Sequence, residues 1–208
     1  MIRAAILDVD GVLTYFRSAW QHLHRVLGTD EWASVNRDAY KAGGLINYRD
    51  WALVDALLWM DVPRTWTEVP ITLRRGGALE LLRFLRDNNV LIIAVSGGLN
   101  YTGIPIRDYV NYFISNELVF DDNGSLISVR VNVENKDIVN ELVSELGLDW
   151  DYVMAVGDSD MDLPMLKRAR YSIAYNPVND EVANAARIVI NSDTLYPLID
   201  IVRAILGK

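Results

Sequence analysis

The stretch Ala4-Ala5-Ile6-Leu7-Asp8-Val9-Asp10-Gly11 decides the fold. Four apolar residues rise without interruption and then meet two carboxylates and a glycine. A short continuous apolar run reads as a strand of a parallel sheet covered on both faces. Two more stretches share the design: VLIIAVSGG at 90–98 and YVMAVGDSD at 152–160. Each climbs through branched or small apolar residues and ends in carboxylates, hydroxyls or glycine.

Helical patterns separate these strands. ALELLRFLRDNN (78–89) places Leu79, Leu82 and Leu85 at helical spacing, and NKDIVNELVSELGL (135–148) is a second amphipathic run that closes near Gly147. A late strand in ARIVIN and a last helix in TLYPLIDIVRAIL continue the alternating α/β order. In open sheets of this class ligands bind at the carboxyl ends of the strands. All three polar clusters fall there, so that edge is the candidate site.

Two segments interrupt the alternation. Residues 15–75 read as successive helices, SAWQHLHRVLG, DEWASVNRDAYKAG and NYRDWALVDALLWMD. They hold five of the six tryptophans, Trp20, Trp32, Trp51, Trp59 and Trp66. Most of these are expected to form the core of a small bundle, which needs their large buried area, with one or two facing the sheet as a pocket wall. Residues 112–131 read as a β-hairpin, FISNELVF and SLISVRV around DDNG.

Composition narrows the function classes. The 208 residues are 51% hydrophobic and 23% charged, enough for a globular core with a modest insert. Without cysteine there is no disulfide framework, thiolate zinc site or cysteine nucleophile, and two histidines argue against a histidine-rich metal site. The early acidic pair interrupts what a secretion signal would continue, and no apolar stretch is long enough to span a bilayer. A soluble, cytoplasmic protein without membrane partners is expected. The net charge of −8 disfavours nucleic acid, whose phosphates require clustered Lys and Arg. Residues 15–75 carry 8 basic and 7 acidic side chains while the remainder carries 12 and 21. An anionic ligand would therefore find its positive partners locally or through a bound metal.

Asp8 and Asp10 end a buried strand, where adjacent carboxylates are costly unless a cation or proton separates them. Gly11 permits a sharp turn. Asp158, Asp160 and Asp162 end another strand, and oxygen clusters of this kind suit Mg²⁺. The D-x-D-x-D spacing also starts a calcium loop, but Leu163 stands where that loop needs glycine and Ala169 where it needs glutamate. Ser96-Gly97-Gly98 is not a nucleophile elbow, because Ala94 occupies the first glycine position. It can instead offer a hydroxyl and backbone N–H groups to a phosphate.

Together these pieces resemble the haloacid dehalogenase-like superfamily of phosphatases. Asp8-Val9-Asp10-Gly11-Val12-Leu13-Thr14 matches its D-x-D-G-x-x-T motif, Ser96 its serine motif, Lys136 its lysine, and Gly157-Asp158-Ser159-Asp160-Met161-Asp162 its G-D-x-x-x-D motif. The resemblance implies a Rossmann-like α/β core (HAD-like) over 1–14 and 76–208. It also implies a small helical cap at 15–75, inserted after the first strand as in the phosphoserine phosphatase-like branch. It further implies a Mg²⁺-dependent phosphatase acting on a small phosphorylated metabolite. Asp8 would be the nucleophile that forms an aspartyl-phosphate, and Asp10 the general acid and base. Ser96, Gly97 and Lys136 would bind phosphate. Asp8, the Asp10 carbonyl and Asp158 would hold the metal, with Asp162 ligating directly or through water.

The cap departs from phosphoserine phosphatases. Tyr15-Phe16-Arg17-Ser18 stands where a glutamate for the substrate ammonium is expected. Leu53 stands at the carboxylate-binding arginine, with Arg49 one turn earlier, and Met161 replaces an asparagine often found before the last motif aspartate. These exchanges leave the dephosphorylation chemistry in place and point to a small phosphorylated acid or sugar selected through Arg17 or Arg49. Phosphoserine itself, phosphotransfer to a second hydroxyl, and a non-catalytic binding protein on the same fold are the alternatives.

Overall fold

The computed structural model describes residues 1–43, 45–65 and 74–208. Trp66 and the end of the helical segment lie outside the described residues. Seven strands form one sheet: β1 (Ala4–Asp8), β2 (Leu91–Leu99), β3 (Tyr112–Phe120), β4 (Leu126–Arg130), β5 (Val153–Gly157), β6 (Tyr171–Tyr175) and β7 (Ile188–Ile190). Their order is β4-β3-β2-β1-β5-β6-β7. Every pair is parallel except the β3–β4 hairpin. The stretch at 4–11 thus supplies the central strand. Its register sets Asp8 beside Val95 and Leu7 beside Val156, which brings the ends of β1, β2 and β5 to one edge.

Side-chain alternation builds the two faces. Ala5, Leu7, Ile92, Ala94, Met154 and Val156 point to one side, under α4 (Ala78–Asp87) and α8 (Tyr196–Leu206). Ala4, Ile6, Ile93, Val95, Val153 and Ala155 point to the other, under α5 (Ile138–Glu145), α6 (Leu163–Leu166) and α7 (Asp180–Ala185). Both faces are covered, as the unbroken apolar strands require.

Among the described residues, the segment between β1 and α4 includes α1 (Ala19–Leu27), α2 (Asp30–Lys41) and α3 (Tyr48–Leu57). Ser18 caps α1, and Gly28 ends it with φ +69°. Asn47 and Asp50 form a capping box on α3. Only part of this segment is a close-packed bundle. Trp59 is fully buried with Ala19, Leu23 and Ala56 in a cluster that reaches Leu99, Leu118 and Leu126 of the sheet. Trp20 and Trp51 are partly buried, Trp32 is 64% exposed, and α2 buries none of its residues.

The chain leaves the sheet and returns to it at one place. Thr14 bridges Arg74, and the Arg75 N–H donates to the Leu13 carbonyl. The buried Arg75 guanidinium then donates to the carbonyls of Val12 (3.1 Å), Gly11 (2.9 Å), Thr14 (3.3 Å) and Asp193 (3.3 Å). Its Cζ lies 5.2 Å from the ring centroids of Tyr15 and of Tyr175. Arg75 therefore fixes the turn that carries Asp10. Replacing it by Met leaves several buried carbonyls unpaired. The Arg75→Met variant is expected to lose about 3 kcal/mol of unfolding free energy in urea denaturation.

Candidate active site

Asp8 is buried at the end of β1. Its Oδ1 accepts from the Val9 N–H at 2.7 Å and from Lys136 Nζ at 2.5 Å, which fixes the carboxylate plane. The chain then makes a wide turn over Val9–Leu13, with Gly11 at φ +85°. A Cβ at Gly11 would land on the Asp158 carboxylate, so glycine is needed there for both conformation and space. Thr14 closes the turn, its N–H donating to the Val9 carbonyl at 3.0 Å and its hydroxyl to the Phe16 carbonyl at 2.9 Å.

Asp10 faces the same cleft from this turn. Its Oδ2 accepts from the Ala19 N–H, the first residue of α1, at 2.5 Å. Among the described residues its buried Oδ1 has no hydrogen-bond partner. Burial pushes its pKa up to about 6, and the Ala19 N–H, Lys136 and Ser96 offset this only in part. Asp10 is thus an acid that can hold or release a proton close to neutrality, with one oxygen free to do so.

β5 delivers the other carboxylates. Asp162 Oδ2 accepts from the backbone N–H groups of Asp158 and Ser159, each at 2.9 Å, and from Ser159 Oγ at 3.1 Å. Its Oδ1 pairs with Lys136. Asp162 therefore braces its own loop and holds the lysine. Asp158 is pushed up to about 7 by burial and then by repulsion from Asp162. Asp8 is raised well above the usual carboxylate range by burial and by Asp162. Burial alone would lower Lys136, but Asp162 and Asp8 outweigh it and the pKa is raised.

Asp8, Asp158 and Asp162 have carboxylate oxygens within 4.8 Å of one another, all buried. Lys136 and the half-exposed Arg17, 3.4 Å from Asp158 Oδ2, do not balance three buried carboxylates. The donor set is hard oxygen only, which fits Mg²⁺. Asp8 and Asp158 are the carboxylates with capacity left for it.

A cleft of about 260 Å³ opens above these groups. Its walls include Arg17, Trp20, Tyr48, Trp51, Gly97 and Met161. Ser96 is fully buried behind the wall, where its Oγ accepts from the Gly98 N–H at 2.9 Å. Arg17, half exposed, reaches Asp158 Oδ2 at 3.4 Å and donates to the Asn176 carbonyl at 3.0 Å. Arg49, in α3, does not line the cleft and pairs with Glu134, in the connection between β4 and α5, at 2.5 Å. Asp160 accepts from Asn179, which also caps α7.

Sequence reasoning missed one group. The Gly97 carbonyl accepts from Trp20 Nε1 (3.1 Å), Tyr48 Oη (3.2 Å) and Asn116 Nδ2 (2.9 Å). Asn116, fully buried in β3, also accepts from the Asn132 and Val133 N–H groups at 2.9 and 2.8 Å and donates to the Val133 carbonyl at 3.1 Å. It ties the Ser96 loop to the segment that leads to Lys136. The available signal was a lone polar amide inside the apolar strand FISNELVF. Burial pushes Tyr48 up to about 12, so it stays a neutral donor. Asn116→Leu keeps the branched outline of the side chain and leaves these partners unpaired. A loss of about 3 kcal/mol in urea denaturation is expected.

Three comparisons bear on this site. The family model for haloacid dehalogenase-like hydrolases matches residues 2–170. A phosphoserine phosphatase from Polaromonas sp. is 26% identical over 137 residues, which is 61% of this chain and 58% of that protein. The chain thus aligns with little more than half of that relative's length. A phosphoglycolate phosphatase from Aeropyrum pernix is 33% identical over 69 residues, 33% of this chain and 29% of that protein. Among solved structures, a phospho-aspartyl intermediate analogue of phosphoserine phosphatase superposes with a TM-score of 0.78 at 21% identity. It covers 96% of this chain and 98% of the other.

Proposed function

The chain belongs to the haloacid dehalogenase-like hydrolases, and on that premise we propose that it is a Mg²⁺-dependent phosphomonoesterase. In this reading it acts on a small phosphorylated metabolite in the cytoplasm. Residues 1–14 and 76–208 are the catalytic core, and 15–75 are the cap that selects the substrate. The observation that carries the proposal is the cluster of Asp8, Asp10 and Lys136 in one cleft, with Asp10 Oδ1 buried and without a partner.

Asp8 is the nucleophile. An Asp8 oxygen attacks phosphorus, the bond from phosphorus to the ester oxygen breaks, and an aspartyl-phosphate forms. Asp10 gives its proton to the leaving oxygen. It then takes a proton from the water that attacks the aspartyl-phosphate, which releases phosphate and restores Asp8. The raised pKa of Asp10 supports both directions of transfer. Lys136 holds Asp8 and offsets negative charge on the phosphoryl group, while the backbone at Gly97 and Gly98 lines the phosphate position. Bound Mg²⁺, held by Asp8, Asp158 and the Asp10 carbonyl with Asp162 behind them, would neutralise charge on the transferring group.

Arg17 on the cleft wall, in place of the glutamate that a zwitterion requires, supports a substrate whose non-phosphate part is anionic or neutral. This disfavours phosphoserine, although relatives carry that name.

Phosphate release from p-nitrophenyl phosphate with Mg²⁺ tests the chemistry. Asp8→Asn is expected to lower kcat at least about a thousandfold, and Asp10→Asn by about a hundredfold or more. A ³²P label that survives acid quench and is released by hydroxylamine should form on the unmodified protein and not on Asp8→Asn. Unchanged rates in both variants would end the proposal. Mg²⁺ should also raise the melting temperature, in line with about 2.7 kcal/mol at a hundredfold excess over Kd. Asp158→Asn should remove that shift, as read by differential scanning calorimetry.

A further inference from the structure

Gly97 and Gly98 line the catalytic cleft side by side, and neither position has room for a side chain. A Cβ at Gly97 would strike the Met161 side chain, and one at Gly98 would strike the Asp10 carboxylate, Ala19 and Ser96 Oγ. Close approach therefore places two adjacent glycines at the phosphate position. The peptide between two glycines meets little steric resistance to turning over. A flipped peptide would exchange the Gly98 N–H for the Gly97 oxygen on the side of Ser96, and an oxygen there would repel a phosphate.

Both ends of that peptide are bonded. The Gly98 N–H donates to Ser96 Oγ at 2.9 Å. The Gly97 carbonyl takes donors from Asn116, Trp20 and Tyr48 at once, at 2.9, 3.1 and 3.2 Å. Asn116 Nδ2 also donates to Tyr48 Oη at 3.3 Å, which leaves the phenol's own proton for Gly97. Two of these donors come from the helical segment, since Trp20 is the second residue of α1 and Tyr48 the first of α3. Other aromatic side chains hold both rings. The Trp20 ring lies 5.8 Å from that of the fully buried Trp59, and the Tyr48 ring stands edge-on to Trp51 at 5.9 Å. A carbonyl carrying this many bonds to anchored groups does not turn over without breaking all of them.

We propose that Trp20 and Tyr48 are positioning residues for phosphate binding: through the Gly97 carbonyl they hold the Gly97–Gly98 peptide so that it presents N–H, not oxygen, to the phosphoryl group. The inference rests on the phosphatase reading and adds to it two side chains that act through a backbone group. Asn116 makes the same bond from β3, but it also braces Asn132 and Val133, so its loss reaches beyond the loop. The indole and phenol donors isolate the effect on the peptide.

Trp20→Phe and Tyr48→Phe each remove one donor and keep an aromatic ring. The probe is inorganic phosphate with Mg²⁺ present, read as Kd by isothermal titration calorimetry and as Ki against p-nitrophenyl phosphate. Each variant is expected to weaken phosphate about fivefold, and the double variant about tenfold or more. KM for p-nitrophenyl phosphate should rise in step, while kcat falls by less than about threefold. A structural role alone would lower the urea midpoint and leave Kd unmoved below the unfolding transition. A double variant whose Kd stays within about twofold of the unmodified protein, or whose loss is confined to kcat, overturns the assignment and leaves the phosphatase reading standing. If p-nitrophenyl phosphate is not turned over at all, the phosphatase reading fails and the titration decides alone. Weaker phosphate in both variants then upholds the positioning role, and an equal Kd overturns it. Absence of phosphate binding to the unmodified protein also overturns it.

Discussion

The contact between Lys136 and the carboxylates of Asp8 and Asp162 is the constraint from which the rest of the structure follows. Three carboxylates share a buried site with one ammonium group. At an effective dielectric of 20, two like charges this close repel by about 3 kcal/mol. The fold holds them together because each is tied to a rigid element. Asp8 is the last residue of the central strand, and Asp162 is gripped by the backbone of its own loop. The raised pKa values of Asp8 and Asp158 express burial first, and then the repulsion from Asp162 that Lys136 does not cancel. That residual charge is what a divalent cation would relieve.

The site is built jointly by sheet and cap. Asp10 accepts from the first N–H of α1, so the turn that carries Asp10 and the start of the helical segment are one unit. The Gly97 carbonyl is held by two cap side chains, Trp20 and Tyr48, and by Asn116 from β3. Fixing that carbonyl fixes the peptide to Gly98, whose N–H points at Ser96 Oγ. A side chain at Gly98 would strike the Asp10 carboxylate and Ser96 Oγ, so the loop approaches the acid closely. Movement of the cap would loosen both the acid and the loop at once.

The sheet and the core motifs were legible because their causes are local. Apolar runs closing in Asp8, Ser96 and Asp158 state strand, direction and site together, since parallel strands end at one edge. The hairpin at DDNG was legible for the same reason, its turn being written in four residues. The roles of Arg75 and Asn116 were not legible. Each acts on backbone carbonyls far away in sequence, and nothing in a side chain's identity states which carbonyls it will meet. Arg49 shows the converse. Its charge suggested a ligand, but only tertiary placement pairs it with Glu134.

Residues 15–75 were the least legible part because helical periodicity does not state how far the interior between the helices is filled. Amphipathic helices normally bury their apolar stripes against each other, and Trp59, Leu23 and Ala56 do so against the sheet end. In α2 the residues that face inward include Ala33, Ser34 and Arg37, which are small or polar. Such residues do not close a core, and a helix bearing them on its inner side leaves a space between itself, α1 and α3. What holds α2 is a few side chains, among them Tyr40 stacked on Trp51 and Asn36 donating to Asp55, whereas the central strand that ends in Asp8 is buried along its whole length.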